Sequence, residues 1–279
     1  FNYDHYFWYR CCFSFRWWSW CFISGLQNRY ANLWSHLPEG VFQIVQGGVA
    51  TAQQVLSKKE LRGLIFIGSY QVGQEIHKFL AGRTEVLLAL EMGGNNPLIV
   101  GQTDSNDTNP IVCNIIQSHL ITSGQRCVAA RRLILPIGKI GDDILEHLST
   151  SLSSVLGGDP MLPENYYGPL IHSESAQKLM QKQNFLKQQG FISQSYLSMN
   201  VLKTNPAFIT PGLLEMNHSA SSFDDDEDFG PLLKVYRYDK FAEAIHLAND
   251  TKFGLCAGLI SDKNVEQSAF YQKVRAGIM

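Results

Sequence analysis

The sequence predicts an α/β fold built on largely parallel sheets, and three observations carry that prediction. From about Ala31 onward, short apolar runs rich in β-branched residues alternate with helical stretches, the pattern of strands joined by crossover helices. Hydrophobic residues make up 45% of the 279 positions, enough to bury one large core or two modest ones. No internal repeat and no low-complexity linker interrupts the alternation.

In chain order, residues 41–46 (VFQIVQ) read as a strand, followed by Gly47-Gly48 and a helix start near Thr51. Residues 63–69 (GLIFIGS) form a second strand, 70–82 (YQVGQEIHKFLAG) its helix and 85–91 (EVLLALE) a third strand. Residues 31 to 91 therefore look like part of an α/β nucleotide-binding domain. Residues 96–100 (NPLIV) give another strand, and 110–122 (PIVCNIIQSHLIT) a helix carried by Ile111, Ile115, Ile116 and Leu120. The apolar run after Cys127 reads as a strand and ILEHLSTSL as a helix. A long amphipathic helix over 173–190 is ended by Gly190, the residue type that closes helices at low steric cost. A strand at 234–239, a helix at 241–250 and a strand at 254–260 complete a second α/β unit.

The first 26 residues do not resemble the rest, holding four of the five tryptophans and three of the six cysteines. A membrane span needs about 20 predominantly apolar residues, and Asp4, Arg10 and Arg16 interrupt this stretch. It has neither the basic start nor the small-residue cleavage site of a signal peptide. We expect it not to be native to the fold that follows.

A formal net charge of -2 gives no reason to expect nucleic acid, whose binding is driven by Lys and Arg neutralising phosphates. Cysteines at Cys11, Cys12, Cys21, Cys113, Cys127 and Cys256 have neither disulfide-framework density nor zinc-site spacing, which favours the reducing cytoplasm and no metal. The absence of GxSxG, GxxxxGK and GxGxxG removes the usual support for serine hydrolases, P-loop enzymes and simple dinucleotide fingerprints. The acidic run Asp224-Asp225-Asp226-Glu227-Asp228 reads first as a solvated loop.

Three short stretches could carry chemistry. Taken alone, Cys127 reads as a small buried side chain. Within "SGQRCVAARRLIL", however, Gly124 and Gln125 make its approach a turn that can expose sulfur and a backbone N–H together, and Arg126 adds positive charge that favours a thiolate. Glu91 ends an apolar strand in "LALEMGGNNP", where a carboxylate is costly unless it is paired or faces solvent or a cavity. In "FIGSYQVG", Gly68 and Ser69 stand between a strand and a helix, a place suited to a phosphate.

FIGSYQVG, LEMGGNNP, SGQRC and EDFGPLL, in this order, resemble the NAD(P)-dependent aldehyde dehydrogenase superfamily. Within it the chain is most similar to the succinylglutamate-semialdehyde dehydrogenases of arginine catabolism, through residues 37–48, 88–100, 123–135 and 253–262. The resemblance covers residues 31 to 279. It implies an incomplete Rossmann-like cofactor domain over 27–92, followed by an α/β catalytic domain over 93–279. It implies Cys127 as the nucleophile toward a small aldehyde and Glu91 as the general base that activates water. Gly68, Ser69 and Gly73 would approach the phosphates of NAD, Glu227 would accept from its nicotinamide ribose, and Phe229 would join the cofactor site. That moves one residue of the acidic run, Glu227, out of the solvated reading.

Cys127 and Glu91 are 36 residues apart, slightly longer than the family spacing, and the polar loop 101–110 can take up the excess. Arg131 and Arg132 read as strand-face or salt-bridge arginines, with a dicarboxylate-binding role as the alternative. Two family features have no counterpart: an upstream asparagine that helps stabilise the oxyanion, and a lysine in a KPSE-like motif that binds the adenosine ribose. The lysine segment bears on the choice between NAD and NADP, which therefore stays open. Loss of one oxyanion donor costs about 2.7–4 kcal/mol of barrier. The last residues, Ala276-Gly277-Ile278-Met279, stop where the family continues into an oligomerisation segment. The resemblance thus implies a homo-oligomer for the family and an internal fragment here, with an inactive remnant as the rival reading.

Overall fold

The computed structural model describes residues 36, 38, 41, 45, 47–105, 107–202, 205–217 and 225–279. The atypical first 26 residues and most of the strand expected at 41–46 lie outside this set. The chain divides into two compact units, one ending at Gly93 and the other running Gly94–Met279.

In the first unit, helix α1 (Val49–Leu56) precedes strand β1 (Gly63–Ile67), helix α2 (Tyr70–Leu80) and strand β2 (Leu87–Glu91). The two strands pair in parallel from Gly63 opposite Leu87 to Ile67 opposite Glu91. Helix α2 starts where Ser69 Oγ accepts from Val72 N–H at 3.4 Å, satisfying one of the donors a helix start leaves unpaired. His77 and Lys78 lie in its last turn, where positive charge complements the helix dipole. Leu64 and Phe66 pack with Ile76 and Leu80 in a small core. On the opposite sheet face Ile65, Ile67 and Leu87 are exposed.

The second unit is a six-stranded sheet in the order β5-β6-β7-β4-β3-β8. Its members are β3 (Asn96–Val100), β4 (Ala130–Pro136), β5 (Ile192–Leu197), β6 (Gly212–Met216), β7 (Leu232–Tyr238) and β8 (Gly258–Ile260). Edge strand β5 is antiparallel to β6, and the other neighbours are parallel. Helices α3 (Asn109–Leu120), α4 (Lys139–Ser154), α5 (Ser173–Gln188) and α6 (Phe241–Asn249) lie between the strands, and α7 (Asn264–Lys273) follows β8. Alternate strand residues enter two separate cores. Leu98, Val100, Leu133, Leu135, Leu233 and Val235 meet Ile111 and Ile115 of α3 and Ile144 and Leu148 of α4. Ile99, Ile134, Leu232 and Tyr236 meet Ala176 and Leu179 of α5 and Ala244 and Ile245 of α6. A sheet covered on both faces explains why consecutive residues of its strands, Leu98-Ile99-Val100 in β3 and Leu133-Ile134-Leu135 in β4, are apolar and buried instead of alternating with polar ones.

Most expected elements appear with shifted ends. The strand at 96–100 matches its expected limits, and the helix expected over 173–190 stops at Gln188. There Gly190 adopts φ +70° and its N–H bonds Lys187 O. The strand expected over 254–260 is shorter, Gly258–Ile260. Among the described residues no helix is long and apolar enough to cross a membrane.

Candidate active site

The first unit brings Gly68, Ser69, Gly73 and Glu91 together around the ends of β1 and β2. Gly68 N–H donates to Glu91 O at 3.0 Å, so the turn into α2 is tied to the end of β2. A Cβ on Gly68 would stand 2.3 Å from Phe66 Cζ, and one on Gly73 would stand 2.4 Å from Met92 Sδ. Gly73 is buried within α2, where the missing side chain lets the helix approach Met92. Ser69 and the Glu91 side chain face solvent, which frees Glu91 from the desolvation cost of a strand-end carboxylate.

In the second unit, Cys127 sits in a turn closed by Ala129 N–H donating to Arg126 O at 3.1 Å. It is half-buried, and among the described residues no acceptor takes its backbone N–H. The chain reaches it through three consecutive residues with positive φ: Thr122 (+55°), Ser123 (+58°) and Gly124 (+69°). Such a conformation is strained for a β-branched residue. It is held by Ser123 Oγ donating to Gly168 O at 2.8 Å and by Gln125 Oε1 accepting from Ile171 N–H at 2.9 Å. A Cβ at Gly124 would lie 2.4 Å from Gly230 O, so glycine is required there on both conformational and packing grounds.

Asn96 holds the other side of the turn. Its Nδ2 donates to Cys127 O at 2.6 Å and to Ala129 O at 2.9 Å. Its Oδ1 accepts from Cys256 N–H at 3.3 Å. The Cys256 thiol reaches Val128 O at 3.5 Å, and burial, with the nearby Cys127, pushes its pKa up to about 11. Cys256 is therefore a protonated neighbour at neutral pH.

Arg126 is exposed and its Nε donates to Thr122 Oγ1 at 2.6 Å. Arg131, whose guanidinium is fully buried, also lies in electrostatic range of Cys127. It donates from Nε to Gly94 O at 3.1 Å, from Nη1 to Gly124 O at 3.0 Å, and from Nη2 to Arg126 O at 2.9 Å and Glu227 Oε1 at 3.2 Å. Arg132 is likewise buried. It donates to Asn95 O and to Leu247 O and Ala248 O at the end of α6, where a cation complements the carbonyl end of the helix. The structure thus favours the structural reading of both arginines over dicarboxylate binding.

The solvated reading of the acidic run requires a correction, because all four of its described members are engaged. Asp225 accepts from Asn95 Nδ2 at 2.9 Å, Thr251 Oγ1 at 2.6 Å and Lys252 N–H at 2.7 Å. Asp226 pairs with Lys182 at 3.0 Å, and the buried Asp228 pairs with buried Lys234 at 2.8 Å. Glu227 Oε1 also accepts from Gly94 N–H at 3.1 Å. The Phe229 ring centroid lies 5.2 Å from Arg131 Cζ. Asp224 lies outside the described residues.

Sequence reasoning missed Asn96 and the organising role of Arg131. The signal for Arg131 was faint: two consecutive arginines open an otherwise apolar strand, and such charges inside a covered sheet need partners. Among the described residues no group of His, Cys, Asp and Glu could hold a metal ion.

Comparison with known proteins adds independent findings. The profile of the aldehyde dehydrogenase family matches residues 26–279. The N-succinylglutamate 5-semialdehyde dehydrogenases of Vibrio cholerae and Escherichia coli are each 40% identical over 251 residues, 89% of this chain and 50% of theirs. The solved 1-pyrroline-5-carboxylate dehydrogenase from Thermus with bound NAD superposes with a TM-score of 0.81 at 25% identity, covering 92% of this chain and 49% of that one. The chain spans about half the length of the curated relatives it matches.

Proposed function

We propose, because this chain belongs to the aldehyde dehydrogenase family, that it oxidises an aldehyde to a carboxylic acid through a thioester on Cys127, with NAD as the oxidant. The substrate is N-succinylglutamate 5-semialdehyde, the compound named for relatives 40% identical to it. One observation carries the reading: a half-buried cysteine stands in a strained turn whose carbonyls are clamped by Asn96 and Arg131. A cysteine that served only to fill a core would need none of this.

In the proposed reaction Cys127, its thiol proton given up to solvent, adds as thiolate to the aldehyde carbon, and its backbone N–H donates to the oxygen that becomes negative. Loss of the aldehyde C–H as the carbonyl re-forms leaves a thioester on Cys127. NAD, when bound, takes up the hydrogen and the two electrons of that C–H bond. Glu91, exposed to solvent, removes a proton from water, which attacks the thioester carbonyl and releases the acid and the cysteine. The residues fit the cofactor chemically. The exposed Ser69 at the start of α2 would hold phosphate at a helix N-terminus, with Gly68 allowing close approach, Gly73 seating the helix, and Glu227 accepting from ribose hydroxyls beside Phe229.

The test is NADH formation on adding the semialdehyde to the whole chain. The reading requires turnover that disappears in Cys127→Ala and falls roughly 100- to 10,000-fold in Glu91→Gln. A Cys127→Ala protein that still forms NADH at the parent rate would reject it.

A further inference from the structure

Arg131 is the side chain that joins the two parts of the second unit assigned to chemistry, and its placement has a structural cause. Strands β3 and β4 pair Asn96 with Ala130 and then Pro97 with Arg132, so the register slips at Arg131. A residue without a partner opposite it in a bulge can aim its side chain away from the regular pleat. Pro97, which has no N–H to give to the ladder, is tolerated at that irregularity. The slip directs the guanidinium across the ends of the strands, where it meets backbone on both sides.

On one side Arg131 bonds Gly124 O and Arg126 O, the carbonyls that flank Gln125 on the approach to Cys127. On the other it bonds Glu227 Oε1 and faces the Phe229 ring. Gly94 closes the arrangement: its O accepts from Arg131 Nε, while its N–H donates to the same Glu227 oxygen. Two donors therefore pin Glu227 Oε1. Among the described residues no donor takes Oε2, and the Glu227 side chain keeps 13% of its surface accessible. Only a planar fork with donors along several directions can reach all of these acceptors from one buried point; the compact ammonium of lysine cannot.

We propose that Arg131 is a positioning residue that locks the Cys127 turn to the Glu227–Phe229 segment, holding the nucleophile and the ribose-binding carboxylate in one fixed relation. The proposal rests on the reading of Cys127 as nucleophile and Glu227 as cofactor ligand. Its consequence is that cofactor affinity and Cys127 reactivity are coupled through a residue that touches neither substrate nor cofactor.

The experiment compares the whole parent chain with Arg131→Met, Arg131→Lys and Glu227→Gln. It measures the NAD dissociation constant by titration and the iodoacetamide alkylation rate of Cys127 by peptide mass spectrometry, with urea unfolding as the check on folding. For Arg131→Met the expected result is NAD binding weaker by roughly tenfold or more, because charge-assisted hydrogen bonds are lost, together with an altered alkylation rate in protein that remains folded. Arg131→Lys, which keeps the charge and loses the fork, should show both changes. Glu227→Gln should weaken NAD binding, and adding Arg131→Met to it should weaken NAD less than the same change does in the parent.

If Arg131→Met does not fold, Arg131→Lys and Glu227→Gln carry the comparison. Folded Arg131 variants with parental NAD affinity and parental alkylation would overturn the positioning role and leave the proposed function standing. A folded parent chain that neither binds NAD nor alkylates preferentially at Cys127 would overturn the proposed function and this inference with it.

Discussion

Replacing Gly124 with alanine should destabilise the protein strongly, and the structure supplies both a magnitude and an internal control. Gly124 has φ +69°, a region that costs an ordinary residue roughly 1–2 kcal/mol. Its added Cβ would also lie 2.4 Å from Gly230 O and 2.6 Å from Gly230 C. Those backbone atoms are not easily moved, because Gly230 O accepts from Leu232 N–H at 2.9 Å and Gly230 N–H donates to Asp228 O at 2.8 Å. Forcing an extra carbon into a packed site costs about 1–3 kcal/mol, so Gly124→Ala should lose roughly 2–5 kcal/mol in all. Gly190 provides the control. Its φ is +70°, but nothing lies within 4 Å of where a Cβ would stand, so Gly190→Ala should lose only the conformational part, roughly 1–2 kcal/mol. Urea unfolding followed by far-ultraviolet circular dichroism measures both. Equal losses in the two variants would refute the claim that the backbone of Gly230 fixes the turn before Cys127.

The remaining predictions concern buried charge and buried histidine. Lys234 and Asp228 pair at 2.8 Å with side chains 0% and 6% exposed. Lys234→Met should therefore cost about 3–5 kcal/mol by stranding a buried carboxylate, and the double variant with Asp228→Asn should recover part of it; a Lys234→Met loss under about 1 kcal/mol would contradict this. Burial lowers the pKa of His119 from 6.5 to about 4, with help from the nearby Arg131, so the folded state holds it neutral while the unfolded chain protonates it. Its contribution is intact above pH 6.5 and is lost as pH falls toward 4, by about 3 kcal/mol at most. A pH series of urea unfolding should show that loss in the parent and a shallower slope in His119→Asn; identical slopes would contradict it.

Regular elements were legible where apolar patterning was strong. Residues 96–100 are fully buried and read as a strand without ambiguity. Edge strand β5, ISQSYL, exposes its serines and glutamine, so its short apolar content gave no strand pattern. Helix α7, NVEQSAFYQK, buries only Glu266 and Phe270 and has almost no apolar stripe to read. The same physics divides the site. Cys127, Glu227 and Phe229 stand in a recognisable order of motifs, whereas Asn96 and Arg131 act on backbone carbonyls brought near by a register slip. Side-chain types along a chain do not disclose where carbonyls converge, and the acidic run looked solvated because its partners Asn95, Arg131 and Lys182 are far from it in sequence, while Lys234, six residues beyond Asp228, stands in a strand whose burial only the folded sheet reveals.

The central claim, that Cys127 carries the acyl group, is tested most directly by trapping it. Glu91→Gln protein given NAD and N-succinylglutamate 5-semialdehyde, quenched in acid and digested, should yield the Cys127 peptide heavier by one succinylglutamyl acyl group, with Cys113 and Cys256 unmodified. Oxidation of the aldehyde with an unmodified Cys127 peptide, or an acyl group found on Cys256 in its place, would contradict the account.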